Sequence, residues 1–209
     1  MIIQKIFEDE SIIVCIKPSG INSEGGSGSN ITELLQCTVK PLVVHRLDRE
    51  VAGLMVLAKT RNAAAALSQQ IQDGRFKKEY LSVVEGVVEE KGEFCDLLFH
   101  DRQKNKTYVV KKERKGVKSA LLEFERLSVT VLDGMLLSKV RIKLHTGRTH
   151  QIRVQFGSRK HPVFGDRKYG SHFKGEFALF SCFLSLDHPV TKERLEFSVL
   201  PPEVAPWDL

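Results

Sequence analysis

The 209-residue sequence contains only four cysteines and no apolar run long enough to cross a membrane. None of the cysteines (Cys15, Cys37, Cys95 and Cys182) belongs to a CxxC pair, so we interpret them as small buried hydrophobic residues rather than as a disulfide framework. The densest apolar run, FALFSCFLSL, is shorter than the roughly 20 residues that a bilayer requires. Acidic residues interrupt the amino-terminal MIIQKIFEDE before a signal peptide could form. We therefore predict a cytoplasmic protein with no membrane partner.

Motifs that would indicate a metal or a nucleotide cofactor are also missing. No GK[ST] follows the glycine-rich stretch SGINSEGGSGSN, which we interpret as a flexible connection. No HExxH occurs, and the histidines do not form a pair on one helix face. The GxSxG elbow of serine hydrolases is absent as well. We expect neither a metal nor a cofactor.

The composition fits a soluble globular protein, with 42% hydrophobic and 28% charged residues. Residues 60–73 form a predicted helix, because Thr60 can cap an alanine-rich run that Gly74 can end. We predict strands for IIQKIF, SIIVCIK and FKKEYLSVVEGVV, and a hairpin of FALFSCFLSL with RLEFSVL. Strands that mostly follow one another, with few helices, indicate an α+β arrangement.

The clearest predicted hairpin pairs residues 120–132 with residues 135–144 through Asp133-Gly134. The segment 149–156, THQIRVQF, is ambiguous. Its alternation of apolar and polar residues is typical of a strand. Thr149 could equally cap a short helix that ends at Gly157.

The net charge of +6 is unevenly distributed. Residues 101–118, DRQKNKTYVVKKERKGVK, hold eight Lys or Arg but only two acidic residues, an excess equal to that of the whole chain. This basic segment is either a solvated hairpin or a surface that follows the phosphates of a nucleic acid. The cations to test are Lys111, Lys112, Arg114 and Lys115.

Residues 43–60, VVHRLDREVAGLMVLAKT, place one carboxylate among cations. Asp48 lies between Arg46 and Arg49, and apolar runs flank all three. A neighbouring arginine favours the ionised carboxylate, which then serves as a nucleophile or an electrostatic stabiliser at neutral pH. A structural ion pair is the alternative explanation.

Two further segments carry candidate binding residues. Residues 144–153, LHTGRTHQIR, combine a basic strand end and a glycine turn with a polar element carrying Arg153. This pattern presents hydrogen-bond donors to an anion, or it is a turn with surface arginines. Tyr80 could stack on a nucleobase or be an ordinary half-buried tyrosine.

Six segments occur in a specific order: KPSGIN, HRLDREVAGLMVLAK, KKEYLSVVEG, HTGRTHQIRVQF, HPVFGDRKYG and LDHPVTKERLEF. Together they resemble the RluA-type family of RNA pseudouridine synthases, from about Phe7 to Pro201. The resemblance implies an enzyme that isomerises uridine to pseudouridine in structured RNA, either ribosomal or transfer RNA.

The resemblance also implies roles for individual residues. Asp48 is the catalytic aspartate, Arg153 is its ion-pair partner, and Tyr80 packs on the target base and assists removal of a proton. Arg46 resembles the arginine that enters the RNA stack where the target nucleotide leaves. The other predicted RNA contacts are Arg49, Arg148, His150 and the basic segment.

The fold implied by the family is one α+β catalytic domain over residues 1–209, without an S4 domain. It is built on a long bent, mainly antiparallel sheet flanked by helices, and the resemblance favours a helix for residues 149–156. A monomer is the expected state. Val51-Ala52-Gly53 stands where the family commonly has Thr-Ser-Gly, so a catalytically silent RNA-binding module on the same scaffold is the alternative. A metal-dependent nuclease, recognisable by chelator-sensitive cleavage, is a third hypothesis.

Overall fold

The computed structural model describes residues 2–25 and 28–208, which leaves Gly26 and Ser27 of the glycine-rich stretch outside the described residues. The strands are β1 (Lys5–Glu8), β2 (Ile12–Lys17), β3 (Leu42–Val43), β4 (Ala52–Ala58), β5 (Lys77–Glu85), β6 (Lys91–Asp101), β7 (Lys106–Val110), β8 (Val117–Leu132), β9 (Met135–Leu144), β10 (Leu179–Asp187) and β11 (Arg194–Ser198). The helices are α1 (Ile31–Leu34), α2 (Arg61–Gln72), α3 (Gln151–Gly157) and a 3-10 turn at Arg167–Tyr169. This composition confirms the predicted α+β class.

The chain forms two compact units. The first contains the chain up to Glu79 together with Phe180–Pro201, and the second contains Tyr80–Leu179 and the chain from Pro202 onward. The interpretation of residues 1–209 as one catalytic domain stays a prediction.

The first unit is built on the strand order β1–β2–β4–β10, with β3 paired to β4 and β11 paired to β10. Its described pairings are antiparallel except for β4 with β10, where Ala52 lies opposite Phe180 and Gly53 opposite Ser181. The predicted hairpin of β10 and β11 is confirmed.

Helix α2 covers this part of the sheet and bears out the prediction for residues 60–73. The Thr60 hydroxyl accepts a hydrogen bond from Ala63 N (3.1 Å) and thereby caps the helix. Ala63 and Leu67 pack against apolar side chains of β2, β4 and β10. The Gln70 side-chain amide also links α2 to β10, since it donates to Asp187 O (2.7 Å) and accepts from Asp187 N (2.8 Å).

The second unit has the strand order β5–β9–β8–β6–β7. Its β8–β9 hairpin turns where predicted, with Leu132 opposite Met135. Asp133 (φ 50°) and Gly134 (φ 76°) both have the positive φ that a two-residue hairpin turn requires. The basic segment forms β7, the turns on either side of it and the start of β8.

Helix α3 resolves the ambiguity at residues 149–156 in favour of a helix. Residues 151–156 are all buried, so the alternation of apolar and polar residues does not separate core from solvent there. The ring of Phe156 lies 5.0 Å from that of Phe94 and 5.4 Å from that of Phe124, which fixes the helix on the sheet. The predicted cap is wrong: His150, with φ 54°, occupies the N-cap position that we expected for Thr149.

The prediction that every cysteine is buried is wrong for Cys95. Cys15 and Cys182 are buried and Cys37 is partly buried, but Cys95 is exposed. The burial pattern of β6 alternates around Cys95, which lies on the exposed side of that strand.

Candidate active site and nucleic-acid interface

The loop between β3 and β4 carries the candidate carboxylate. Asp48 is half-buried, Arg46 and Arg49 are exposed, and Leu47 is buried between them. The loop therefore anchors itself through one apolar side chain and leaves its charged groups at the surface. An accessible carboxylate of this kind fits either a nucleophile or a stabiliser of positive charge.

Hydrogen bonds from backbone and side-chain groups hold this loop against Gly20 and Ser23. The Ser23 hydroxyl donates to Leu47 O (2.7 Å) and accepts from Leu47 N (3.0 Å). Gly20 N donates to Arg49 O (2.8 Å), and Arg49 Nε donates back to Gly20 O (3.0 Å). These bonds fix the backbone on both sides of Asp48.

Lys17 lies beneath the same loop, and the sequence analysis did not identify it as a site residue. Its side chain is fully buried, and Nζ donates to Pro18 O (2.8 Å), Ile21 O (2.8 Å) and Arg49 O (3.2 Å). Burial lowers the pKa of Lys17 to about 8, while the negative charges of Asp48 and Glu50 act in the opposite direction. The sequence feature that could have identified Lys17 is that it is the single lysine at the end of the apolar strand SIIVCIK.

The surroundings of His45 indicate a structural role. It is buried, its Nε2 accepts a hydrogen bond from Val56 N (3.1 Å), and its ring packs on Phe76 (5.3 Å). Burial first, and the positive charge of Lys78 second, lower the pKa of His45 to about 3. The ring is therefore neutral at physiological pH and serves to hold β4.

Gly53, the second residue of β4, occupies a position that excludes any side chain. Its φ is 117°, and a Cβ atom would lie 2.3 Å from Ser181 O. Val51 is buried at 2% exposed, and Ala52 is opposite Phe180 in the sheet. The apolar Val51 side chain is therefore part of the core.

In the second unit, Arg153 of α3 is anchored by a carboxylate. Its Nε and Nη2 donate to the two oxygens of Asp166 at 2.7 and 2.9 Å, and both residues are buried. The rings of Tyr169 and Phe177 lie 5.2 and 4.9 Å from the guanidinium carbon. Asp166 was not among the predicted site residues, although its segment HPVFGDRKYG was recognised.

His150 and Tyr169 extend this network. His150 Nδ1 lies 2.9 Å from the Tyr169 hydroxyl, which accepts from Thr107 N (2.8 Å). Burial raises the pKa of Tyr169 to about 12. His150 is only 7% exposed, and Arg148 Nε donates to Ser119 O (2.9 Å). His150 thus has little surface for a contact with RNA in this conformation.

The other predicted residues differ in exposure. Tyr80 is 5% exposed, so its ring is almost covered. The cations Lys111, Lys112, Arg114 and Lys115 are all exposed in the turn between β7 and β8. The structure thus distributes the predicted residues over the β3–β4 loop, strand β5 with Tyr80, the start of α3 and the basic segment.

In the ranges 2–25 and 28–208, no three His, Cys, Asp or Glu side chains lie close enough to hold a metal ion. No helix within the described part of the chain is long and apolar enough to cross a membrane.

The fold and these side chains define an α+β protein with an accessible carboxylate between exposed arginines and, in its second unit, an anchored arginine. Residues 11–158 match the family described as RNA pseudouridylate synthase. The chain belongs to this family, which confirms the resemblance found in the sequence.

Three curated relatives are similar to most of the chain. The "Uncharacterized RNA pseudouridine synthase" of Aquifex aeolicus is 32% identical over 95% of this chain and 69% of its own length. The "Ribosomal large subunit pseudouridine synthase C" of Buchnera aphidicola is 34% identical over 80% of this chain, which spans 54% of that relative. The "Ribosomal large subunit pseudouridine synthase D" of Pseudomonas aeruginosa is 32% identical over 97% of this chain and 69% of its own length.

Solved structures share the fold. The protein titled "Human RNA Pseudouridylate Synthase Domain Containing 1" superposes with a TM-score of 0.81 at 22% identity, over 98% of this chain and 85% of that chain. "Human RNA Pseudouridylate Synthase Domain Containing 4" gives 0.77 at 20% identity, over 95% and 88%. This likeness confirms the predicted pseudouridine synthase fold.

Proposed function

We propose that this protein isomerises specific uridines of ribosomal RNA to pseudouridine, with Asp48 as nucleophile or electrostatic stabiliser. The observation that carries the proposal is the half-buried Asp48, fixed by backbone hydrogen bonds within the segment that matches the family. In the reaction the N1–C1′ bond breaks, the base turns, and C5 bonds to C1′. Positive charge develops at the sugar, where a carboxylate stabilises or traps it.

The family motifs supply two further residues of the proposed chemistry. Arg153 is the ion-pair partner that keeps Asp48 ionised, a role supported by its place in the family motif QIR. The bidentate contact with Asp166 holds the guanidinium in one orientation. The place of Tyr80 in the family motif KEY supports a role at the target base, where it assists removal of a proton after the base has turned. Because Tyr80 is 5% exposed, only a small part of it is available for that contact in this conformation.

RNA contacts come from the exposed cations. Arg46 enters the RNA stack where the target nucleotide leaves, because an enzyme that acts on a stacked base must first extrude it. Arg49, Arg148 and the basic segment contact the surrounding RNA, whereas the buried His150 holds the start of α3 through Tyr169. Relatives named for the large ribosomal subunit support ribosomal RNA over transfer RNA. We place the protein in the cytoplasm and expect a monomer that needs no metal or cofactor.

The proposal is tested with ribosomal and transfer RNA from a strain that lacks the gene. After incubation with the protein, pseudouridine is derivatised and mapped by primer extension. We expect new sites in ribosomal RNA with the wild type and none with Asp48→Asn, which should still bind RNA because the positive surface is intact.

The matched control for Asp48→Asn is Glu50→Gln, which removes the same charge two residues away and should keep turnover. Sites that appear only in transfer RNA would redirect the substrate assignment. No new site in either RNA would sink the proposal.

The second candidate function is a catalytically silent RNA-binding module. It is favoured by Val51-Ala52, which supply no hydroxyl beside Asp48. This candidate predicts that wild type and Asp48→Asn perform equally in every assay. It would win if both proteins restored growth of the deletion strain without new pseudouridine.

We also predict that neutralising Lys111, Lys112, Arg114 and Lys115 together weakens RNA binding. Each lost phosphate contact should reduce the slope of log affinity against log salt by about 0.7 to 0.9. Fluorescence anisotropy over a salt series measures this slope. A variant whose affinity matches the wild type at every salt concentration would remove the basic segment from the RNA interface.

A further inference from the structure

The hairpin of β6 and β7 presents two aromatic rings that the proposed reaction does not use. Phe99 lies directly opposite Tyr108 of β7 and, on its other side, directly opposite Val117 of β8. Opposite residues of an antiparallel pair project from the same face, so the three side chains form one row. Tyr108 is 37% exposed and Phe99 is half-buried.

This row lies on the face of the hairpin that points away from α3. Leu98 and Thr107, the next residues in the alternation, are 3% and 1% exposed. Leu98 packs with Val154 of α3, and the Thr107 hydroxyl donates to Thr149 O (2.8 Å) just before that helix. Since successive side chains of a strand point to opposite faces, the two rings point outward.

A cation accompanies each ring. The Arg114 guanidinium carbon lies 4.6 Å from the centroid of Phe99, and Lys106 Nζ lies 5.8 Å from that of Tyr108. Further exposed cations of the segment are Arg102, Lys104, Lys111, Lys112 and Lys115, and its acidic residues are Asp101 and Glu113. The surface is therefore aromatic and strongly positive at the same place.

We infer that Phe99 and Tyr108 form a stacking platform for an unpaired base of the bound RNA. Rings that stack on bases beside cations that bind phosphates are the combination by which proteins hold single-stranded RNA. A protein partner would have to neutralise the excess positive charge, which an RNA backbone does by itself. The inference rests on the proposed function for the kind of ligand, and it adds a contact outside the catalytic motifs.

The experiment compares two probes on the full chain by fluorescence anisotropy. One is a short labelled oligoadenylate, and the other is an abasic oligomer with the same sugar–phosphate backbone. We expect wild type to bind the oligoadenylate more tightly. Tyr108→Ala should weaken that binding by about 5- to 150-fold, as for the loss of one stacked base, and leave binding of the abasic oligomer unchanged.

Two further variants control for folding and for the hydroxyl. Tyr108→Phe keeps the ring and should bind both probes like the wild type. Tyr108→Leu keeps an apolar side chain in β7 without a ring, and it should show the same loss as Tyr108→Ala even if the alanine variant does not fold. Equal binding of both probes by wild type, or unchanged oligoadenylate binding by Tyr108→Leu, would overturn the platform and leave this face for a protein partner.

Pseudouridine formation in ribosomal RNA is measured in the same preparations. Wild type that forms pseudouridine, together with ring variants that bind oligoadenylate normally, would reject only the platform. Base-dependent binding that is lost with the ring, in a protein that forms no pseudouridine in any RNA, would reject only the proposed function.

Discussion

Each of the two compact units buries a cation, but different groups accept its hydrogen bonds. In the first unit, Lys17 donates to three backbone carbonyls beneath the loop of Asp48. In the second unit, Arg153 is paired through two hydrogen bonds with the buried carboxylate of Asp166. Neutral carbonyls compensate the burial of a charge less completely than a carboxylate does, which is why the pKa of Lys17 falls to about 8. The stability that depends on Lys17 should therefore change with pH, whereas the stability that depends on Arg153 should change when Asp166 loses its partner.

The largest effect is expected from Arg153→Met. This change leaves Asp166 buried without the guanidinium, so the free energy of unfolding should fall by about 3–5 kcal/mol. Urea denaturation followed by circular dichroism measures the loss.

The double variant Arg153→Met/Asp166→Asn separates the buried charge from the lost packing. If the unpaired carboxylate is the cause, the second substitution should recover part of the stability. A double variant less stable than Arg153→Met would contradict this account.

The next effect concerns the pH dependence of stability through Lys17. Below pH 8 the folded and unfolded states both carry the proton, so Lys17 contributes no pH dependence there. Between about pH 8 and the ordinary value of 10.5, the unfolded chain keeps a proton that the folded protein has lost. The wild type should therefore gain about 3 kcal/mol of stability as pH rises through this window.

Lys17→Met is the control for this titration. Lys78, whose pKa burial also lowers to about 8, is retained in the variant, so the difference between the two proteins isolates Lys17. Parallel stability curves for wild type and Lys17→Met between pH 7 and 10.5 would show that the lysine does not titrate as described.

The smallest expected effect is the difference in stability loss between alanine substitutions at two glycines beside the loop of Asp48. Gly53→Ala places a Cβ against Ser181 O and should cost about 2 kcal/mol more than Gly20→Ala. Gly20 also has a positive φ, but no atom lies within 4 Å of its added Cβ, so backbone strain is its only cost. If both variants lose the same thermal stability, β4 and β10 can move apart to admit the added Cβ atom at no cost in free energy.

Much of the fold follows from local patterns. The cap at Thr60 and the turn at Asp133-Gly134 were predicted because short-range backbone chemistry decides them. Helix α3 was ambiguous because buried polar side chains occur on it, and their partners are distant in sequence. Gln155, for example, donates to Phe94 O (3.0 Å) and to Asp96 (2.8 Å).

The candidate site divides in the same way. The order of the motifs identified Asp48, Arg153 and Tyr80 as candidates because family motifs are contiguous in sequence. Lys17 and Asp166 were missed because their importance depends on burial and on the atoms that their charges meet. The outward row of Phe99 and Tyr108 likewise depends on the register between β6 and β7.

The sequence by itself determined the α+β class, the positions of helix α2 and the hairpins, the family and the identity of the candidate carboxylate. Only the tertiary structure decided that Lys17 supports the loop of Asp48, that Asp166 holds Arg153, and which face of the basic hairpin its rings occupy. The physical reason is that propensity, capping and turn geometry act between neighbours in the chain. Desolvation and the pairing of buried charges depend on residues that only folding brings together.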